Sequence, residues 1–205
     1  GGKVIWAENA QQACDEILKI CEARNCKTLV KSKSMATEEI KLNEALEHNG
    51  IESVETDLGE YIQQLDGELP YHIVTPAMHK SKEDVAKLFA EKLGTDPKAT
   101  PEQLTLTARE ILREKYVQAE VGVTGANFII SDIGGLAVTE NEGNARLTAA
   151  LPKTMITLLG IEKVLPKLAD LALFLPMLGT AGAGQAITCY NSMIGGPRLP
   201  GECDG

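Results

Sequence analysis

The stretch TLVKSKSMATEEIKLNEALEHNGIESVET, residues Thr28–Thr56, contains the signals of a strand, a helix and a second strand in succession. The apolar run Thr28–Lys31 predicts the first strand, Glu38–His48 predicts a helix that Gly50 ends, and Ile51–Thr56 predicts the second strand. Two strands that are joined by a helical crossover run parallel in one sheet. The stretch therefore predicts an α/β fold.

The same alternation extends on both sides of this stretch, up to about residue 95. Strands are predicted at Lys3–Trp6 and Tyr71–Val74. The predicted helices begin with one whose apolar stripe comprises Ala10, Ala13, Cys14, Ile17, Leu18 and Cys21. A short helix follows through Tyr61, Ile62 and Leu65. This alternation predicts three layers, with a mostly parallel sheet between helices on both faces.

Helix-start signals place two further helices. Ser81 and Asp84 resemble a capping box for a helix that ends at Gly94. Thr100, with a proline at the next position and Gln103 as the capping partner, predicts a helix that continues to about Ala119.

A β-rich segment is predicted after residue 120, because short apolar runs follow one another with little room for helices. Its predicted strands are Phe128–Ser131, Leu136–Thr139, Leu147–Ala150 and Lys153–Leu158. A helix over Pro166–Met177, a flexible loop over Thr180–Gln185 and a strand over Ala186–Asn191 complete the prediction.

The charge balance and the apolar runs exclude two classes of partner. With 29 acidic and 20 basic side chains, the net charge of −9 repels polyanions, which argues against nucleic acid. No apolar run is long enough for a transmembrane segment, and the first ten residues lack the pattern of a signal peptide. We therefore expect a cytoplasmic protein. The Gly-Gly start and the turn-like end also suggest a fragment of a longer chain.

The cysteine and histidine spacings argue against a metal site in this sequence. The chain has five cysteines and three histidines, and no two cysteines form a CxxC pair. Structural zinc and iron–sulfur clusters both need closely spaced ligands. Cys14 and Cys21 are expected to pack as small apolar side chains.

Lys31, Ser32 and Lys33 are candidate ligand-binding residues because they stand where a parallel strand ends and a helix soon begins. Their ammonium and hydroxyl groups, together with free N–H groups at the helix start, would suit a carboxylate or a phosphate. The alternative is that both lysines are solvated and that a hydroxyl caps the next helix.

The stretch GVTGANFIISDIGGLAVTENEGNAR, residues 122–146, supplies the other candidates. Thr124 and Asn127 flank a glycine and either bind a ligand or form a turn. Asp132 is either a carboxylate that faces a ligand or the first residue of a tight turn. All three residues lie at the ends of short apolar runs, where α/β folds open their ligand crevice.

Glu142, Asn144 and Arg146 complete the predicted ligand site. Arg146 could hold a carboxylate through two parallel hydrogen bonds, and a partly buried Glu142 is the candidate catalytic base or nucleophile. The alternative is a polar hairpin with a weak, exposed ion pair. Because all these segments are expected at one crevice, the sequence predicts a ligand site there.

Six strings, in the expected order through nearly the whole chain, resemble the lactate-utilisation protein B family. They are LVKSKSMATEEI (Leu29–Ile40), VETDLGEYIQQL (Val54–Leu65), VTGANF (Val123–Phe128), VTENEGNARL (Val138–Leu147), GIEKVLPKLADLALFL (Gly160–Leu175) and GGPRLPGECDG (Gly195–Gly205). The chain departs from the family at Asp132-Ile133-Gly134-Gly135, where many members have Glu-Thr-Gly-Thr. A carboxylate is kept there, and the threonine hydroxyls are lost.

This resemblance implies a single lactate-utilisation (LUD) domain over residues 1–205, with a fold similar to NagB/RpiA isomerases and coenzyme A transferases. It implies a subunit of a bacterial iron–sulfur complex that, with sister lactate-utilisation subunits, oxidises L-lactate to pyruvate and passes electrons on. Full-length members carry a C-terminal ferredoxin-like module with two [4Fe–4S] clusters, whose cysteine runs this sequence lacks. The domain alone is thus expected to hold no cofactor and to have no redox activity.

Three functions compete at this point. The first is the subunit just described, in which this domain binds a small carboxylate or other anionic ligand, or docks partner subunits. The second is a stand-alone enzyme like a coenzyme A transferase or sugar-phosphate isomerase, with Glu142 as base or nucleophile and a lysine holding the anion. The third is a scaffold whose polar loops face other proteins.

Overall fold

Helices and strands alternate along most of the chain. The computed structural model describes residues 2–68, 75–188 and 190–196, so the predicted strand Tyr71–Val74 lies outside the described residues. In chain order the elements are α1 (Ala10–Ala23), β1 (Thr28–Lys31), α2 (Met35–Glu39), α3 (Leu42–His48), β2 (Glu52–Glu55), α4 (Leu58–Asp66), α5 (Lys82–Leu93), α6 (Pro101–Gln118), β3 (Val121–Thr124), β4 (Phe128–Ile130), β5 (Gly135–Glu140), α7 (Asn144–Ala150), β6 (Thr154–Thr157), β7 (Val164–Leu165), α8 (Leu171–Ala183) and β8 (Tyr190–Ile194).

The first sheet has four parallel strands in the order β2-β1-β3-β6. Side chains alternate between its two faces along each strand. Val30 and Val54 pack in one core with residues of α4, α5 and α6. Leu29 and Val121 pack in a second core with residues of α1 and α3. Helices therefore cover both faces, which confirms the α/β fold with three layers.

The second sheet is mixed, with the strand order β7-β4-β5-β8. β5 is antiparallel to both β4 and β8, and β4 is parallel to β7. Helix α8 covers one face, where the Phe174 ring lies 5.5 Å from the Phe128 ring. Ile130, Leu165 and Leu171 form the small buried core between them. The prediction of a β-rich segment after residue 120 is confirmed.

The predicted capping signals of α5 and α6 are confirmed. Ser81 and Asp84 form a reciprocal capping box, and so do Thr100 and Gln103. Gly94 ends α5 with a φ of 73°, a left-handed conformation that costs glycine little. These local signals depend on a few neighbouring residues, so the sequence is sufficient to place them.

The predicted helix Glu38–His48 is two helices. Ser34 caps α2, which ends at Glu39, and α3 begins at Leu42, after Lys41. Lys41 has a φ of 55°, which interrupts the helical backbone. Leu42 and Leu46 of α3 are buried in the core that includes Leu29 of the first sheet.

Two predicted strands are wrong. Lys3–Trp6 has no strand partner among the described residues, and Val4 and Trp6 are exposed. Leu147–Ala150 belongs to α7, because the Glu140 carboxylate accepts hydrogen bonds from the N–H groups of Ala145 and Arg146 and so caps the start of a helix.

The C-terminal predictions also need correction. The helix expected over Pro166–Met177 begins at Leu171, after a short 3₁₀ turn. The flexible loop expected over Thr180–Gln185 is in part the end of α8, where the Thr180 hydroxyl donates to the carbonyl oxygen of Pro176 at 2.9 Å. The strand expected from Ala186 begins only at Tyr190. No helix in the described ranges is both long and apolar enough to cross a membrane.

Gly122 allows the first sheet to approach α7 closely, so a Gly122→Ala change is expected to destabilise the fold. A Cβ atom at this position would lie 2.2 Å from the carbonyl oxygen of Thr148. We expect the free energy of unfolding to fall by about 1–3 kcal/mol, as in other overpacked sites, and urea unfolding measures it.

Gly182 is the matched control for this substitution. It lies within α8, and a Cβ atom there meets nothing within 4 Å. Gly182→Ala should leave stability unchanged or raise it by about 0.5–1 kcal/mol, because alanine favours helix. Equal effects of the two alanine variants would show that the close approach at Gly122 is not limiting.

Candidate functional site

Polar side chains collect at the carboxyl ends of β1, β2 and β3. Backbone hydrogen bonds join the strands at this end. The N–H of Ser32 donates to the carbonyl oxygen of Val123, and the N–H of Thr56 donates to the carbonyl oxygen of Lys31, both at 2.9 Å. The hydroxyl of Thr56 donates to the same Lys31 carbonyl oxygen at 2.9 Å. This end of a parallel sheet is where α/β folds place their ligands. We call the polar residues here the carboxyl-end cluster; they are Lys31, Ser32, Lys33, Glu38, Glu55, Thr56, Asp57, Glu60, Thr124, Glu142, Asn144 and Thr148.

Lys31 is completely buried at the base of this cluster. Its ammonium lies 2.7 Å from Glu38 and 2.9 Å from Glu55, and it donates to the Thr37 hydroxyl at 2.9 Å. Burial alone would lower the pKa of Lys31, but the negative charges of Glu55, Glu38 and Glu60 outweigh that effect and raise it. All three ammonium protons therefore have protein acceptors.

Glu60 lies beside Glu55 and is the most strongly perturbed carboxyl group of the cluster. Burial, and then the charge of Glu55, raise the pKa of Glu60 to about 9, although Lys31 opposes this. Among the residues that the structure describes, no donor reaches Oε2 of Glu55 or Oε2 of Glu60. A protonated Glu60 can donate a hydrogen bond to Glu55, and this contact is among the causes that raise the pKa of Glu60.

Lys33, Asp57 and Glu142 form the part of the cluster nearest to solvent. The Lys33 ammonium lies 2.6 Å from the Asp57 carboxylate, and 24% of the Lys33 side chain is exposed. Glu142 accepts a hydrogen bond from the N–H of Leu58 at 3.2 Å. Glu142 is exposed rather than partly buried as expected. Partial desolvation, and then the charge of Asp57, still raise the pKa of Glu142, while the Leu58 N–H and Lys33 oppose the shift. This arrangement gives Glu142 the environment of a proton acceptor.

Ser32 and Thr124 join the ends of β1 and β3. The Ser32 hydroxyl donates to the Thr124 hydroxyl at 2.7 Å, and Thr124 donates to the carbonyl oxygen of Gly125 at 2.9 Å. A Cβ atom on Gly125 would lie 2.9 Å from the Ser34 hydroxyl oxygen, so a glycine is needed for this approach. Both hydroxyls are buried, and their hydrogen bonds hold the ends of β1 and β3 together whether or not a ligand is bound.

Asn144 begins α7 and is buried beside Tyr116 of α6. The Tyr116 hydroxyl donates to the carbonyl oxygen of Asn144 at 3.2 Å, and burial is the main cause that raises the Tyr116 pKa. The hydroxyls of Thr56 and Thr148 lie 3.4 Å apart. The segment that was expected to contain the strand Leu147–Ala150 is thus a helix, α7, and its polar residues Asn144 and Thr148 lie at the carboxyl-end cluster.

Three predicted site residues lie at the second sheet instead. Asn127 accepts a hydrogen bond from the N–H of Thr139 at 2.7 Å, and Asp132 accepts from the N–H of Leu168 at 3.2 Å. The Arg146 guanidinium lies 5.7 Å from the Tyr190 ring centroid. It also lines a cavity of about 450 Å³ between α7 and β8. The structure therefore brings together six of the nine predicted residues, namely Lys31, Ser32, Lys33, Thr124, Glu142 and Asn144.

The sequence interpretation missed Asp57, Glu55 and Glu60. Thr56 and Asp57 follow β2 just as Ser32 and Lys33 follow β1, so the same strand-end argument would have selected them. Glu55 and Glu60 carried no such signal, because acidic residues on a strand and a helix are usually solvated. Their burial depends on Lys31, which pairs with Glu55.

The described residues do not fit an iron–sulfur cluster or another metal centre. Within them, no group of three or more His, Cys, Asp or Glu side chains is placed to hold a metal ion. Cys14 and Cys21, both on α1, and Cys26 are buried free thiols that pack in one hydrophobic core.

Comparison with models of known protein families identifies the domain that contains the carboxyl-end cluster. The model of the LUD domain family matches residues 1–204. The chain belongs to the LUD domain family.

Relatives of this LUD domain are known from several bacteria. The chain is 47% identical over its whole length to the lactate utilization protein B of Bacillus licheniformis and to that of Bacillus subtilis. It is 42% identical over its whole length to a protein of Escherichia coli that is named uncharacterized electron transport protein YkgF. The LUD domain spans only 43% of the length of each of these relatives. No solved structure matches the chain.

Proposed function

We propose that this LUD domain belongs to a subunit of a lactate-utilisation complex that oxidises L-lactate to pyruvate. The observation that carries the proposal is the 47% identity over the whole chain to two Bacillus proteins named for lactate utilization. The electron-transport name of the Escherichia coli relative supports a redox role for the longer protein. Within this proposal, the LUD domain binds a small anionic ligand and docks sister lactate-utilisation subunits.

Lys33 is the residue that we assign to the ligand. Lys31 is completely buried and fully paired, whereas Lys33 reaches the surface. Five carboxyl groups, of which Glu60 is protonated, and two ammonium groups meet in the cluster, so an incoming carboxylate must replace Asp57 or Glu142 beside Lys33. A 2-hydroxy acid suits this exchange, because its carboxylate can pair with Lys33 and its hydroxyl can donate to Glu142.

The electron carriers of the proposed complex, two [4Fe–4S] clusters, would lie in a ferredoxin-like module outside this domain. The three described cysteines are buried in the core and do not fit a cluster. The LUD domain's own contribution is then to bind and orient a ligand and to position partner subunits.

A chimeric protein tests the assignment to lactate utilisation. Residues 1–205 would replace the matching segment of the Bacillus subtilis relative in a strain that lacks the native protein. We expect the chimera to restore growth on L-lactate. A chimera that accumulates to the native level but supports growth only on glucose would overturn the assignment.

Lys33→Met in this chimera tests the ligand site. Loss of a charge-assisted hydrogen bond should weaken ligand binding by about 10–100-fold. The expected result is a rise of that size in the L-lactate concentration that gives half-maximal lactate oxidation in permeabilised cells. Lys19→Met is the control, because Lys19 is an exposed lysine on α1 that pairs only with the neighbouring Glu16 among the ion pairs of the described residues. If the two variants need the same lactate concentration, Lys33 does not bind the ligand.

Glu142 supports a second candidate function, a stand-alone enzyme of the coenzyme A transferase or sugar-phosphate isomerase type. Its raised pKa and its place beside Lys33 and Asp57 suit a base or nucleophile. Thermal stabilisation by coenzyme A or sugar phosphates, but not by lactate or pyruvate, would favour this function. Turnover that Glu142→Gln abolishes would establish it.

A further inference from the structure

The outward face of α8 is apolar and exposed. Ala172, Leu173, Pro176, Met177 and Thr180 recur at the spacing of one helix face, and all five are exposed. Leu173 is 61% exposed and Met177 is 52% exposed. Folded monomers rarely leave a continuous apolar surface of this kind in water unless it binds something.

The opposite side of α8 is firmly packed, so the exposed face is not the result of a detached helix. Phe174 and Leu175 pack against the core of the second sheet, and Leu171 is buried in it. Exposed apolar residues also flank the helix. Leu168 precedes it and Ile187 follows it. We call Leu168, Ala172, Leu173, Pro176 and Met177 the α8 face.

The surrounding sequence has an unusual charge pattern. No Asp, Glu, Lys or Arg occurs between Leu171 and Pro197, although 24% of the whole chain is charged. Protein surfaces that meet separate partners usually keep a charged or polar rim, which guides the encounter. Helix α8 and the segment after it supply no such charges of their own, so this part of the surface is better suited to a permanent contact, in which the two sides are already linked.

We propose that the α8 face is an interface within the longer protein, covered by the part of the polypeptide that lies outside the LUD domain. The domain spans only 43% of its Bacillus relatives, so more than half of such a protein is available to cover it. A covalent link supplies a high effective concentration, and an apolar contact then needs no charges for steering. A second copy of this chain fits less well, because each copy carries a net charge of −9 and would repel the other.

Thiol labelling of the chimera described above tests this interface. Leu173→Cys and Met177→Cys place a thiol on the α8 face, and Leu106→Cys is the matched control, since Leu106 is a 54% exposed leucine on α6. Labelling with a maleimide would be followed by mass spectrometry of the peptide that contains each introduced cysteine. We expect both α8 positions to react at least about tenfold more slowly than position 106 in the monomeric chimera.

Each result decides the proposal. Slow labelling that does not change on dilution, with a monomeric mass, supports an interface within one polypeptide. Slow labelling that becomes fast on dilution shows that a second copy covers the face and overturns the proposal. Labelling at both α8 positions as fast as at position 106 shows that the longer chain leaves the face open, which also overturns it. These readouts do not depend on lactate, so they are independent of the proposed function.

Discussion

Replacing Lys31 with methionine is expected to lower the free energy of unfolding by about 3–5 kcal/mol, the usual effect of leaving a buried ion pair without one partner. Lys31 is completely buried, and its ammonium is paired with Glu38 and Glu55. Methionine fills nearly the same volume, so the variant removes the charge rather than the packing. Urea unfolding followed by circular dichroism measures the change.

Two further variants show whether the lost charge is the cause. Lys19→Met removes an exposed lysine that pairs with Glu16 on α1, and almost no change is expected, because exposed pairs contribute little. Lys31→Met combined with Glu55→Gln removes both buried charges and should recover part of the stability. If Lys31→Met behaves like Lys19→Met, or if the double variant is the least stable, the ion pairs of Lys31 do not support the fold.

The buried position of Lys31 changes its role from the one that the sequence suggested. A lysine at the end of a parallel strand is a reasonable anion ligand, and Lys31 and Lys33 satisfied that pattern equally. In the structure, acceptors from α2 and β2 surround Lys31, whereas Lys33 reaches the surface. Residues two apart share a face only while a strand continues, and β1 ends at Lys31, so the alternation does not extend to Lys33.

Local signals predicted much of the fold. The capping boxes of α5 and α6 and the apolar stripe of α1 depend on residues within a few positions of one another, and each gave the correct helix. The errors occurred where distant contacts decide the conformation. The helix α7 is an example, because the Glu140 carboxylate at the end of β5 caps it.

The candidate site was predictable only in part, for the same reason. Strand-end positions such as Ser32 and Thr124 follow from the fold class, and the structure joins them by a hydrogen bond of 2.7 Å. Asn127 and Asp132 have the residue types of a ligand site, but they satisfy backbone N–H groups of the second sheet region. Buried acids such as Glu60 have no sequence signal, because their burial depends on a partner elsewhere in the chain.

Glu60 is expected to make the stability of this domain fall as the pH rises from about 5 to 9. Its pKa is raised from 4.5 in the unfolded chain to about 9 in the fold, by burial and by the charge of Glu55. Between these values the folded state holds a proton that the unfolded state has released. The stabilisation is therefore fully present below the lower pKa and is lost as the pH rises through the upper one, with a slope of up to ~1.4 kcal/mol per pH unit.

Glu60→Gln should remove this dependence. The glutamine amide can donate to Glu55 as the protonated acid does, and it does not ionise at any pH in this range. The difference in unfolding free energy between the variant and the native protein should therefore shift steadily in favour of the variant between pH 5 and 9. Urea unfolding at intervals across this range gives that difference, and titrations of groups that do not interact with Glu60 cancel in it.

The shape of this difference, rather than its size, tests the assignment of the proton to Glu60. A glutamine that packs poorly would lower stability by the same amount at every pH, and would leave the slope unaffected. Glu44→Gln, which removes an exposed acid on α3, should give a flat difference. A flat difference for Glu60→Gln as well would mean that Glu60 is ionised in the folded protein at neutral pH. Glu55 and Glu60 would then both be charged beside Lys31, and another group would have to supply the hydrogen bond that their two Oε2 atoms lack.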